Sequence, residues 1–136
     1  MIVHVYRNLR HRDRRAWSIV ASEGPLRGRV IEVVSAAVVE DATFVVRSGG
    51  RARVLREKQK NVHAFVKGNL IKRLPLDAEP DASSVESLAP GFDEFFKVSY
   101  DPYVASRFFS VSTGETIEAA TMVVATSDGV YAKERR

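Results

Sequence analysis

Residues 29–47 read Arg29-Val30-Ile31-Glu32-Val33-Val34-Ser35-Ala36-Ala37-Val38-Val39-Glu40-Asp41-Ala42-Thr43-Phe44-Val45-Val46-Arg47. The run is nearly continuous Val, Ile, Ala, Thr and Phe, residues that suit a pleated, half-buried surface. Small residues at Ser35-Ala36-Ala37 and charges at Glu40-Asp41 interrupt it, so it is read as two strands, about 29–35 and 37–47. Upstream, Ile2-Val3-His4-Val5-Tyr6 and Trp17-Ser18-Ile19-Val20-Ala21 are further strands. The charged block Arg10-His11-Arg12-Asp13-Arg14-Arg15 separates them, and they are expected to be hairpin neighbours.

Downstream, Ser48-Gly49-Gly50 ends the strand run. Residues 51–60 are largely good helix formers with Ser48 as N-cap, which predicts the main helix near residues 50–60. Val62 to Lys67 resumes a strand with Val62, Ala64 and Val66 on one face and His63, Phe65 and Lys67 on the other. Residues 75–91 carry three prolines, four acids and three serines, a composition that predicts a flexible acidic loop. Strands return at 95–100, 107–111 and 121–125. Asp128-Gly129 then marks a hairpin into Val130-Tyr131-Ala132. The expected class is α+β: mostly antiparallel β, about eight short strands, with one main helix, in a single domain over residues 1–136.

Charge is divided unevenly. Residues 1–75 hold sixteen Lys/Arg against six Asp/Glu, whereas residues 76–136 hold five against eleven. A field of one sign attracts anionic partners, so the basic half points to phosphate-bearing ligands, polymeric or small. There is no cysteine, which excludes disulfides, thiolate metal sites and a cysteine nucleophile. The N-terminal apolar run is too short for a signal peptide, and no stretch approaches the roughly 20 apolar residues of a membrane helix. A cytoplasmic protein without membrane contact is expected. The three histidines are scattered, and no Ser-His, Glu-His or HExxH arrangement is visible, so no catalytic residue, metal site or cofactor is assigned.

Two segments carry candidate binding residues. In the first, helical spacing places Arg53, Arg56 and Lys60 along one face with Arg51 at its flank, and Asn61, His63 and Phe65 follow at once. Arginines a turn apart can grip phosphate bidentately, and an aromatic ring offers a stacking surface for a base. The plain alternative is a solvated amphipathic helix. The second segment offers Tyr100, Asp101, Tyr103, Arg107 and Phe108 for ring stacking, ribose hydroxyls and phosphate; its plain alternative is a structured turn whose aromatics cap the core. Arg7, Arg10, His11, Arg12, Arg14 and Arg15 form a third basic cluster at an expected hairpin tip. It could touch a nucleic-acid backbone, but no standard nucleic-acid signature accompanies it.

Tyr6-Arg7-Asn8-Leu9, the block Arg53 to Val66 and Tyr100-Asp101-Pro102-Tyr103 resemble, in order and spacing, a family of small phage-encoded proteins. The pattern is similar to the anti-Thoeris sponges, which bind cyclic ADP-ribose signals and withhold them from a host immune effector without degrading them. That resemblance implies a non-enzymatic counter-defence protein, a small anionic nucleotide as partner and a homo-oligomer with pockets between subunits. The competing reading is a basic nucleic-acid-binding or host-protein-inhibiting phage protein, for example an anti-CRISPR or a nuclease inhibitor. Salt response separates the two, because polymer binding weakens steeply through counterion release.

Overall fold

The computed structural model describes residues 1–8, 16–46, 56, 64–76, 87–101 and 105–133. They form nine strands: β1 (Ile2–Asn8), β2 (Ala16–Ala21), β3 (Val30–Val46), β4 (Ala64–Pro75), β5 (Phe96–Asp101), β6 (Ala105–Ser110), β7 (Thr116–Ile117), β8 (Ala119–Thr126) and β9 (Gly129–Lys133). A 3-10 turn spans Phe92–Glu94. Every strand pairing is antiparallel.

The α+β expectation is therefore corrected to a nearly all-antiparallel β architecture. The helix expected near residues 50–60 lies outside the described residues except for Arg56, which is exposed. Good helix formers are a weak prior on class, because class follows from which elements share the buried layer. Among the described residues that layer is built almost wholly from strands.

The expected division of residues 29–47 is also overturned, since one 17-residue strand runs through both interruptions. Each interruption became a bulge. The register to β4 shifts between Val34 and Ala36 and again between Glu40 and Thr43, and Asp41 takes a left-handed φ of 49° at the second shift. Asp tolerates that conformation at modest cost, so the strand bends without ending. At the first shift the Ser35 hydroxyl donates to the Pro75 carbonyl at 2.9 Å.

Because β3 is long and bent, it organises the sheet. One edge pairs with β4 from Val34 to Val46; the other pairs first with β2 and then with β8. β1 joins β2 to β4, so β1, β2, β3 and β4 make a closed circuit. From β8 the order continues β9-β5-β6-β7. β7 leads through Glu118, whose carbonyl accepts the Phe44 amide at 3.1 Å, back into β8. The expected β1–β2 and β8–β9 hairpins are both present. In the second, the turn residues are Ser127 and Asp128, and Gly129 opens β9 at φ 147°.

The continuous apolar run of β3 reflects burial on both faces. Ala37 and Val39 join the main core with Val3, Val5, Ile19, Val34 and Val123. Ala36 and Val38 face a second cluster with Leu88, Ala89 and Val124. Leu88 and Ala89 belong to the segment expected to be a flexible acidic loop, and both are buried; residues 77–86 of that segment lie outside the described residues. Burying one Leu side chain is worth about 1.5–3 kcal/mol, enough to anchor the end of a polar connection.

Candidate functional site

The inward positions of β1 are Val3, Val5 and Arg7, since side chains alternate along a strand. Val3 and Val5 are fully buried, whereas Arg7 is half-buried. Across the register Arg7 pairs with Trp17, and its guanidinium carbon lies 5.0 Å from the indole centroid, a cation–π distance. Both side chains reach the β8–β9 turn. Trp17 Nε1 donates to the Thr126 carbonyl at 2.9 Å, and the Arg7 guanidinium donates to the Ser127 carbonyl at 3.2 Å and to that of Thr126 at 3.5 Å.

This clamp bounds a cleft of about 340 Å³ between β1, β2 and β4 on one side and β5, β6 and β9 on the other. Val5, Val66, Val98, Tyr100 and Phe108 line it with apolar and aromatic surface, and Arg7, Lys97 and Asp128 bring charge to it. Tyr100 and Phe108 are buried, with ring centroids 5.2 Å apart, and Phe108 continues to Phe44 at 4.9 Å. The aromatic wall is thus held by packing on β5, β6 and β3.

Asp128 sits in the turn with both carboxylate oxygens engaged. Oδ1 accepts from the Thr126 hydroxyl and Oδ2 accepts from the Tyr131 hydroxyl at 2.9 Å. The Thr126 bond chiefly holds this carboxyl below its ordinary value, opposed by partial burial and aided by Tyr131 and the Lys97 charge. Burial, then the hydrogen bond to Asp128, pushes the Tyr131 hydroxyl upward. The Lys97 chain passes across Gly129, where a Cβ would lie 2.9 Å from Lys97 Cε. The ammonium of Lys97 is 6.0 Å from the Tyr131 ring centroid.

Of the residues expected to bind ligand, Arg51, Arg53, Lys60, Asn61, His63 and Tyr103 lie outside the described residues. Arg56 is exposed. Phe65, Tyr100 and Phe108 line the same cleft, although they come from the two segments that the sequence kept apart. Phe65 also stacks on His4 at 4.3 Å and lies 5.0 Å from Tyr6, on the face of β4 that the alternating pattern assigned to it. Asp101 ends β5. Arg107 is exposed, and alternation along β6 turns it away from the face of Phe108. Tyr100, Arg107, Phe108 and Phe109 stand on strands β5 and β6, where the expected strand runs 95–100 and 107–111 put them.

Trp17, Lys97, Asp128 and Gly129 were missed, and Arg7 was read only as part of a basic hairpin tip. A signal existed for one of them. An aspartate in a hairpin turn, preceded by Thr126 at two residues and followed by Tyr131 at three, already places two hydroxyls within its reach. Nothing local indicates that this turn meets Arg7 and Trp17 from more than a hundred residues earlier in the chain.

Among the described residues, no group of His, Asp and Glu is arranged to hold a metal ion, and no helix is long and apolar enough to cross a membrane. A family model described as the Mycobacterium phage L5 gene 82 protein matches residues 1–133. The "Gene 82 protein" of Mycobacterium phage L5 is 35% identical over 133 residues, which cover 96% of this chain and 94% of the relative. No solved structure matches the chain.

Proposed function

Because the chain belongs to the Mycobacterium phage L5 gene 82 protein family, we propose that it serves the phage as a counter-defence protein that binds and sequesters a small cyclic nucleotide signal of the cyclic ADP-ribose type without degrading it. The observation that supports this reading is the cleft. Its volume of about 340 Å³ falls at the lower end of small-molecule sites, which run roughly 300–1,000 Å³ and combine apolar walls with a few convergent polar groups. Tyr100 and Phe108 supply aromatic wall, and Arg7 and Lys97 supply positive charge for a pyrophosphate.

Magnitude bears on the assembly. Withholding a micromolar signal needs a dissociation constant below ~1 μM, about −8 kcal/mol. Base–aromatic contact contributes about 1–3 kcal/mol, and hydrogen bonds to charged groups about 1.5–3 kcal/mol each. Those sums are reduced by the cost of association. A second copy closing over the cleft would supply the remainder, which favours a homo-oligomer for the same reason.

Trp17 is the sole tryptophan and lines the cleft, so its emission reports occupancy directly. Titration with cyclic ADP-ribose isomers should give a saturable change, matching calorimetric heat, and the ligand should be recovered intact by chromatography. Folded protein that shows neither a change in emission nor heat with any of these nucleotides would sink the proposal. The +10 balance of residues 1–75 favours the second reading, a nucleic-acid or acidic host-protein partner. Binding of a short oligonucleotide whose affinity falls steeply with added salt would select it.

A further inference from the structure

We infer that Asp128 reads the sugar of the bound nucleotide: it accepts a hydrogen bond from one ribose hydroxyl, so the cleft takes ribonucleotides in preference to their deoxy counterparts. This rests on the nucleotide reading above and adds to it a residue and a selectivity. Among the described residues lining the cleft Asp128 is the one carboxylate, and it stands with the cations Arg7 and Lys97. A carboxylate there repels any part of a ligand that is anionic. It favours a ligand that sets a neutral hydroxyl donor beside its phosphate, and a ribose phosphate has that arrangement.

The position of Asp128 is set before a ligand arrives. Trp17 and Arg7 fix the carbonyls of Thr126 and Ser127, the two residues before it, and the hydroxyls of Thr126 and Tyr131 orient its two oxygens. Acceptors held in place in this way lose little freedom on binding. An ionised carboxylate has about four acceptor positions. The two hydroxyls take one on each oxygen, which leaves acceptor capacity for a ribose hydroxyl. Lys97, whose charge favours the ionised form of Asp128, lies across Gly129 where it can meet the neighbouring phosphate. A Cβ at position 129 would lie 2.9 Å from Lys97 Cε, so a side chain there would push the lysine end aside.

The test uses the full chain and Trp17 emission, with calorimetry as the second readout. Cyclic ADP-ribose and ADP are compared with 2′-deoxy-ADP and 3′-deoxy-ADP. One of the two deoxy compounds should bind roughly tenfold or more weakly than ADP, because a site built to hydrogen-bond a hydroxyl rejects the analogue lacking it. Asp128→Asn should weaken ADP to a similar degree and leave the affected deoxy compound nearly unchanged. Equal binding of ADP and both deoxy compounds by the wild-type chain overturns the inference and leaves the nucleotide reading standing. No binding of any nucleotide overturns both. The wild-type comparison needs no variant, so an Asp128→Asn chain that fails to fold does not decide the matter.

Discussion

Replacing Gly68 by Ala should destabilise this fold strongly through one methyl group. Gly68 lies on β4, opposite Val3 of β1 and beside the bulge of β3. A Cβ there would sit 2.7 Å from Val39 Cγ1, 2.8 Å from the Glu40 carbonyl oxygen and 3.1 Å from Ala42 Cα. Two of those neighbours are backbone, so a rotamer change cannot relieve the contact and the β3–β4 seam has to open. Gly68 has no left-handed φ, which leaves steric overlap as the whole effect. Overpacking of this kind costs typically 1–3 kcal/mol and more where backbone must move, so about 3 kcal/mol is expected. For a chain of 136 residues, an unfolding entropy of about 2.1 cal/mol/K per residue converts that loss into a fall in Tm of roughly 10 °C. Gly114→Ala is the control. Its φ is 76° and nothing lies within 4 Å of the added methyl, so it carries only left-handed strain, about 1–2 kcal/mol. Thermal unfolding followed by circular dichroism reads both. If Gly68→Ala melts within 2–3 °C of wild type, or no lower than Gly114→Ala, the close approach of β3 and β4 is wrong.

The cleft yields two more expectations. Trp17→Phe keeps an aromatic ring but removes the N–H that donates to the buried Thr126 carbonyl. It should cost about 1–3 kcal/mol, the penalty for leaving a buried acceptor short of its donor; an unchanged Tm by calorimetry would show that the turn is not clamped. The folded-state carboxyl of Asp128 lies below its ordinary value of 3.8. Its contribution to stability is therefore fully present above that value and is lost as pH falls through the lower folded one. Between pH 5 and pH 2 the wild-type chain should lose more stability than Asp128→Asn, and parallel curves of Tm against pH would refute this.

Strand chemistry was legible because it is local. β-branched and aromatic runs located eight of the nine strands, although β3 was expected as two pieces and β4 runs eight residues beyond the expected end at Lys67. The two-residue stub β7 (Thr116–Ile117) lacked any such run. Both hairpins were legible for the same reason, since the loop residues that join neighbouring strands are adjacent in sequence. The class is corrected because strands make up nearly all of the described elements, while the helix expected over residues 50–60 falls outside the described residues apart from Arg56. β3 was misjudged because small and charged residues were read as strand ends, when in a strand paired along both edges they are absorbed as bulges. The binding residues were half legible. Tyr100 and Phe108 were chosen for their chemistry and do line the cleft, but the paired cations near them could not be seen from their own neighbourhoods.

By itself the sequence determined a set of mostly antiparallel strands, a cysteine-free composition and a basic first half, and those properties depend only on composition and on a period of two. The tertiary structure decided where that charge meets an aromatic wall. Arg7 and Trp17 bind the turn carrying Asp128 across more than a hundred residues. Such a meeting follows from the order in which the strands close around β3, and no pattern within a single strand encodes that order.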